Sequence, residues 1–137
     1  MRTAIDTNVL SALWSGEPLA SRVAAQLAEA HAAGGLVICA PVYAELLAHP
    51  AASQRFVDDF LADTRIAVDF DLDEAIWRQT AEGFAAYAVR RRRSHGGSPK
   101  RLLVDFIVAA HAMLRADRLM TLDVTRYRKD FPKLRLL

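Results

Sequence analysis

Four acidic residues stand where a parallel α/β fold would gather their side chains. Asp6 directly follows a short apolar run, and Asp123 comes two residues after Thr121, the end of a later run. Glu45 and Asp105 each lie among apolar neighbours in segments with helical spacing. An ionised carboxylate in apolar surroundings is costly unless a partner or a metal ion compensates its charge. We therefore expect the four acids to share one site.

Each acid alone has a simpler explanation as a helix cap, a turn residue or one half of a surface ion pair. Their convergence at one sheet edge favours a divalent cation instead, because clustered carboxylates repel one another by several kcal/mol. The histidines are scattered and Cys39 is the single cysteine, so the spacing of a zinc site is missing. Oxygen ligands suit Mg²⁺ or Mn²⁺, which can activate water for attack on a phosphodiester.

The charges divide unevenly along the chain. Residues 1–89 carry 5 Lys and Arg against 12 Asp and Glu, whereas residues 90–137 carry 13 against 4. A basic C-terminal third is consistent with binding of a polyanion, although a solvated basic surface would have the same composition. The candidate phosphate-binding residues are Arg90, Arg91, Arg92, Arg93, Lys100 and Arg101.

Length and composition predict one globular domain over residues 1–137. The chain is 53% hydrophobic and 25% charged, too apolar for a disordered protein. Its apolar runs are all far shorter than the roughly 20 residues of a membrane-spanning helix, so we expect no membrane association. The acid at position 6 interrupts the apolar stretch that a secretory signal needs, and a lone cysteine forms no internal disulfide. These features predict a cytoplasmic protein.

Short apolar runs alternate with helical patterns, which predicts an α/β fold. Strands are expected at residues 2–5, 36–40, 66–70, 119–121 and 134–137, the last two joined by residues 123–131. Helices are expected at 9–14, 19–33, 42–48, 53–63, 75–93 and 102–116, with a mobile loop at 94–99. The predicted architecture is a three-layer α/β/α domain with a short, mostly parallel central sheet. In such sheets the ligand site lies beyond the carboxyl ends of the strands, where Asp6 and Asp123 are expected.

Four segments together resemble a known family. They are residues 5–10 (IDTNVL), 41–46 (PVYAEL), 104–112 (VDFIVAAHA) and 119–123 (LMTLD), the last followed by Arg126–Tyr127 and 130–132 (DFP). In this order and spacing they resemble the PIN domain, and within it the VapC-type toxins of bacterial and archaeal toxin–antitoxin pairs. The resemblance extends over nearly the whole chain.

The resemblance implies a metal-dependent endoribonuclease, the toxin of a type II toxin–antitoxin system, held inactive by a cognate VapB-like antitoxin. It assigns Asp6, Glu45, Asp105 and Asp123 to the acidic quartet that holds Mg²⁺ or Mn²⁺, and it places Asn8 and Thr121 beside that quartet in secondary roles. Asp117 and Asp130 are rivals for the fourth acidic position. The same resemblance implies an RNA substrate and a homodimer. As a hypothesis for mechanism, the first three acids hold the principal ion, while the fourth serves a second ion or orients the attacking water.

Other functions are compatible with parts of this pattern. A noncatalytic RNA-binding or assembly module could keep the PIN shape, although the intact acidic quartet argues against it. A flap-type DNA nuclease would need long additions that a chain of this length lacks. A phosphatase with an aspartyl nucleophile would want an acid two residues after Asp6, where Asn8 stands.

Overall fold

The computed structural model describes residues 1–16, 18–95 and 100–137, which fold around a four-stranded parallel sheet. Its strands are β1 (Thr3–Ile5), β2 (Leu36–Cys39), β3 (Ile66–Asp69) and β4 (Arg118–Met120), in the order β3-β2-β1-β4. The helices are α1 (Thr7–Ser15), α2 (Ala20–Ala33), α3 (Ala40–Leu46), α4 (Gln54–Asp63), α5 (Glu74–Arg93), α6 (Leu103–Arg115) and α7 (Val124–Asp130). The predicted α/β class and parallel sheet are confirmed.

The two central strands are buried along their whole length. Every residue of β1 and of β2 is buried, which requires helices on both faces of the sheet. The edge strand β3 is buried only at its first residue, Ile66, and partly exposed beyond it. Helices thus cover the apolar runs from both sides, as the three-layer prediction requires.

Helix boundaries follow local capping chemistry. The side chains of Asp6, Ser53 and Asp73 accept hydrogen bonds from backbone N–H groups in the first turns of α1, α4 and α5. Helix α1 ends at Gly16, which has φ of +62° and so takes the left-handed conformation that glycine adopts without steric cost. Asp6 therefore begins α1 as well as ending β1, and both elements fix its position.

The order in which successive strands are added to the parallel sheet reverses at β1. Strands β1, β2 and β3 progress to one side, whereas β4 returns to the other side of β1. Ligand sites in open parallel sheets lie at such a switch point, beyond the carboxyl ends of the strands. Here that point lies between Asp6 and Thr121. These residues directly follow Ile5 and Met120, which are paired across β1 and β4.

The C-terminal region differs from the prediction. Residues 134–137 were expected to form a strand, but Leu136 makes a single parallel bridge with Leu119. Residues 123–131, expected as a connection, contain helix α7, whose buried Tyr127 and flanking Val124 and Phe131 have helical spacing. Of the predicted loop 94–99, residues 96–99 lie outside the described residues.

Membrane association was expected to be absent. Across the described ranges of the chain, the helices fall short of the length and apolar character that crossing a bilayer demands.

Candidate active site

Asp6 is the buried acid at the switch point, with 8% of its surface exposed. Its Oδ2 accepts a hydrogen bond from the Thr121 hydroxyl at 2.8 Å, and its Oδ1 accepts one from the Thr7 backbone N–H at 2.9 Å. Burial nevertheless raises the pKa of Asp6 above its usual value, and the negative charge of Asp105 raises it further. A bound cation would stabilise the ionised form of this carboxylate and so offset the cost of burying its charge.

Glu45 is joined to Asp6 through one residue of α1. The Thr7 hydroxyl donates a hydrogen bond to Glu45 Oε1 at 2.7 Å, while the backbone N–H of the same threonine binds Asp6. Glu45 lies on the short helix α3, directly after β2, and is exposed. Its carboxylate is therefore held beside the buried aspartate but remains open to solvent.

Asp105 lies in the first turn of α6, with 30% of its side chain exposed. Its Oδ2 accepts a hydrogen bond from the Leu102 N–H at 3.4 Å and lies 3.6 Å from Arg101 Nε. The charge of Asp105 acts on the pKa of Asp6 and on that of Tyr127, so the three side chains share one electrostatic environment.

The backbone of Asp123 lies at the same sheet edge as Asp6. Its N–H donates to the Thr121 hydroxyl oxygen at 3.0 Å, but its carboxylate points to Arg126 Nη1 at 3.3 Å. Asn8 completes this side of the network, because its Nδ2 donates to Thr121 at 3.4 Å and its Oδ1 accepts from the Leu122 N–H at 3.1 Å. Both residues that the sequence placed in secondary roles thus lie in the network around Asp6.

The rivals for the fourth acidic position have other partners. Asp117 precedes β4 and accepts a hydrogen bond from the Arg2 N–H, so it lies at the amino edge of the sheet. Asp130, at the end of α7, pairs with Arg90 at 3.3 Å and with Arg101 at 3.2 Å. Of the three acids, Asp123 is the one linked by hydrogen bond to Thr121, the residue that binds Asp6.

The donor set suits a hard divalent cation, since it consists of carboxylate oxygens with threonine and asparagine oxygens nearby. Within the part of the chain that the structure describes, however, no three His, Cys, Asp or Glu side chains converge tightly enough to hold a metal ion. Glu45 is turned to a threonine hydroxyl, and Asp105 and Asp123 are turned to arginines. Joint ligation with Asp6 would require these side chains to move closer together.

Arg101, one of the candidate phosphate-binding residues, does not belong to an exposed basic surface. Its side chain is only 4% exposed and pairs with Asp105 and Asp130. Its burial follows from its position two residues before α6, where its backbone N–H donates to the buried Tyr87 hydroxyl at 2.7 Å. Of the others, Arg91 is half-buried, whereas Arg90, Arg92, Arg93 and Lys100 are exposed.

Tyr127 is a member of this region that the sequence reasoning did not select. It is 1% exposed, and its ring lies under Arg101, whose Cζ is 5.0 Å from the ring centroid. Burial strongly raises the pKa of its hydroxyl, and the charges of Asp6 and Asp105 add to the effect. The helical spacing of Val124, Tyr127 and Phe131 predicts its burial, but no pattern in the sequence shows which side chains surround it.

The chain shares sequence and fold features with known proteins. A sequence model of the PIN domain matches residues 3–132. Among solved structures, the chain is similar to VapBC-1 from nontypeable Haemophilus influenzae, with a TM-score of 0.68, 23% identity and coverage of 100% of this chain and 97% of that one. It is also similar to VapBC2 from Rickettsia felis bound to a DNA fragment from their promoter, with a TM-score of 0.63, 21% identity and coverage of 100% and 98%. Curated proteins include no match.

Proposed function

Because this chain belongs to the PIN-domain family, we propose that it is a Mg²⁺- or Mn²⁺-dependent endoribonuclease and the toxin of a type II toxin–antitoxin system. The observation that carries the proposal is the network around the buried Asp6. Two threonines bind its carboxylate, and through them Glu45 and Asp123 are tied to the same sheet edge as Asp105.

The residues divide into ligands and positioning groups. Asp6, Glu45 and Asp105 would hold the principal ion, and Asp123 would serve a second ion or orient the attacking water. When bound, the cation supplies charge neutralisation at the phosphate and lowers the pKa of water. The Thr121 hydroxyl and the Thr7 backbone N–H each donate to one carboxylate oxygen of Asp6 and so fix the orientation of the carboxylate, while Asn8 donates to Thr121.

The basic C-terminal third supports an RNA substrate. Arg92, Arg93 and Lys100 are exposed, and they stand at the end of α5 and just before α6, whose first turn holds Asp105. Contacts of such residues with backbone phosphates would bring RNA to the acids without selecting its sequence. We expect this activity in the cytoplasm.

A VapB-like antitoxin is the proposed partner. Two similar structures are VapBC proteins, and the similarity covers the full length of this chain. An antitoxin would inhibit by covering the acids or the basic approach to them. The proposal also includes a homodimer of the toxin chain.

A ribonuclease assay with matched variants tests the activity. Purified chain is incubated with single-stranded RNA in Mg²⁺, in Mn²⁺ or in EDTA, and products are resolved by length. We expect cleavage with either metal, none with EDTA, and a loss of at least about a hundredfold in Asp6→Asn and Asp105→Asn. Asp59→Asn is the control, since it neutralises an exposed acid that pairs only weakly with Arg55, 3.8 Å away.

Two outcomes would reject the nuclease. One is cleavage that persists in both Asp6→Asn and Asp105→Asn, which would identify a contaminating enzyme. The other is RNA binding by the folded chain with no cleavage in either metal, which would support the alternative of a noncatalytic RNA-binding or assembly module with a PIN fold.

A further inference from the structure

A small basic cavity of about 140 Å³ lies between α5, α7 and Arg101, which precedes α6 by two residues. Five cationic side chains and one carboxylate line it: Arg90, Arg91, Arg101, Arg126, Lys129 and Asp130. The carboxylate is already shared by Arg90 and Arg101. Arg101 and Arg126 also pair with Asp105 and Asp123, so five cationic side chains face three carboxylates around the cavity and positive charge remains in excess.

Arg101 is the buried group in this cavity. Its side chain is 4% exposed, and its Nε lies 3.2 Å from Asp130 and 3.6 Å from Asp105. Its Nη1 and Nη2 atoms are buried and have no hydrogen-bond partner among the described residues. Buried donors of a charged group are rarely left unsatisfied, because the loss of hydration is not returned. Solvent barely reaches these atoms in this structure, so an acceptor in the cavity would satisfy them only once the Arg101 side chain shifts toward it.

The size and charge of the cavity identify the acceptor. Sites for nucleoside-sized or drug-sized ligands usually occupy about 300–1,000 Å³, well above the volume found here. A guanidinium binds phosphate or carboxylate oxygens through paired N–H donors, and clustered cations favour the more highly charged of the two. A single phosphate group therefore fits both the volume and the excess charge.

Two of the lining residues connect the cavity to the candidate active site. Arg101 pairs with Asp105, and Arg126 pairs with Asp123 at 3.3 Å. A phosphate held in the cavity would thus lie beside the acids. We propose that the cavity binds one backbone phosphate of the RNA chain, next to the phosphodiester that is cleaved. This inference rests on the proposed function for its substrate.

The first experiment measures phosphate binding without RNA or metal. Thermal unfolding of the full chain is followed in EDTA with potassium phosphate or with potassium chloride at equal ionic strength. We expect phosphate to raise the Tm above the chloride value, since a ligand of the native state stabilises it. Lys129→Gln should weaken the apparent phosphate affinity about tenfold, whereas Arg128→Gln, an exposed neighbour on α7 outside the cavity lining, should keep it.

The second experiment separates an RNA phosphate from free phosphate. Binding of single-stranded RNA is measured in EDTA with a neutral methylphosphonate placed at each linkage in turn. We expect one linkage at which the substitution weakens binding about tenfold in wild type and in Arg128→Gln, but much less in Lys129→Gln. The slope of log K against log salt should also fall by about 0.7 in Lys129→Gln.

The outcomes separate this inference from the proposed function. If phosphate stabilises no more than chloride, or if Arg128→Gln is as impaired as Lys129→Gln, the cavity is not a phosphate site. If phosphate binds but no linkage depends on Lys129, the cavity holds a free phosphate and its assignment to RNA is wrong. Neither experiment measures cleavage. A chain that binds RNA in this way without cutting it would therefore support the phosphate site and contradict the proposed nuclease activity.

Discussion

The Thr121 hydroxyl donates a hydrogen bond of 2.8 Å to Oδ2 of Asp6 across 115 positions of sequence. The contact exists because Ile5 and Met120 are paired in neighbouring parallel strands, so the next residue of each strand emerges beside the other. The same hydroxyl oxygen accepts from the Asp123 N–H and from Asn8 Nδ2. The buried Thr121 side chain therefore links Asp6 and Asn8, which follow β1, to Asp123, which follows β4.

Thr121→Val should impair the site more than it impairs the fold. Valine has the same shape but cannot donate to Asp6, whose pKa should rise further above its usual value. We expect a loss of about 1–3 kcal/mol in the free energy of unfolding, because the buried carboxylate loses a partner. Stabilisation of the protein by added Mn²⁺ should also decrease. Urea unfolding and thermal unfolding with and without Mn²⁺ measure the two effects.

Thr121→Ser and Thr125→Val serve as controls. Serine keeps the hydroxyl and should restore the response to Mn²⁺, whereas Thr125 is exposed on α7 and its replacement should change neither property. A Mn²⁺ response of Thr121→Val equal to that of wild type would contradict a role for this hydroxyl in preparing Asp6.

The ion pairs of Arg101 predict unequal effects of two neutralised acids. Asp130 has 8% of its side chain exposed and pairs with both Arg90 and Arg101. Asp130→Asn should therefore cost about 3 kcal/mol of unfolding free energy, since it leaves a buried guanidinium short of its charge partner. Asp105→Asn should change stability by less than about 1 kcal/mol, because the lost pair with Arg101 is offset by relief of repulsion from Asp6.

Chemical denaturation in EDTA compares the two variants directly. Equal losses would mean that Asp105 is as important a partner of Arg101 as Asp130, and that its charge serves the fold as much as the site. A loss of the Mn²⁺ response in Asp105→Asn, with stability kept, is the result expected of a metal ligand.

The strands and most helices could be predicted from sequence, because each depends on local patterns. Apolar runs bounded by breakers define the strands, and Asp6 follows one of them with no residue between. The C-terminal segment was harder. Leu134 and Leu136 continue an apolar pattern, yet the chain pairs at one position only. Strand pairing depends on neighbours that a local pattern does not contain.

Arg101 shows why side-chain environments could not be predicted. In sequence it adjoins Lys100 and follows four arginines, which is typical of a solvated basic surface. Its burial depends on the Tyr87 hydroxyl, on Asp130 and on the ring of Tyr127, three residues far from it in sequence or on other helices. The orientation of the acids toward protein partners has the same origin, because each partner comes from tertiary packing.

Stability should fall in mildly acidic solution because of His111. This side chain on α6 is 1% exposed, and its Nε2 lies 3.0 Å from Asp69 Oδ2. Burial lowers the pKa of His111 below its usual value, an effect that Arg2 and Arg115 reinforce and Asp69 opposes. The unfolded chain then binds a proton that the folded chain excludes.

The lowered pKa of His111 sets the pH range over which stability changes. The contribution of His111 is complete above the unfolded pKa of about 6.5 and is lost as pH falls below it, by at most about 1.4 kcal/mol per pH unit. Urea unfolding between pH 5 and pH 8 measures the slope. His111→Gln should flatten it, whereas His31→Gln, at an exposed position on α2, should leave it unchanged. A slope that persists in His111→Gln would assign the pH dependence to other groups.

Gly83→Ala should stabilise the protein. Gly83 lies in the interior of α5, where glycine is less favourable than alanine by about 1 kcal/mol. An added Cβ would lie 3.4 Å from Phe106 Cδ1 and 3.4 Å from Phe131 Cε1, at ordinary contact distance from both rings. We expect a gain of about 0.5–1 kcal/mol in unfolding free energy, seen as a higher urea midpoint. Ala85→Gly, at an exposed position of the same helix, should lose a similar amount. A destabilised Gly83→Ala would mean that the aromatic packing between α5, α6 and the end of α7 cannot accept even one methyl group.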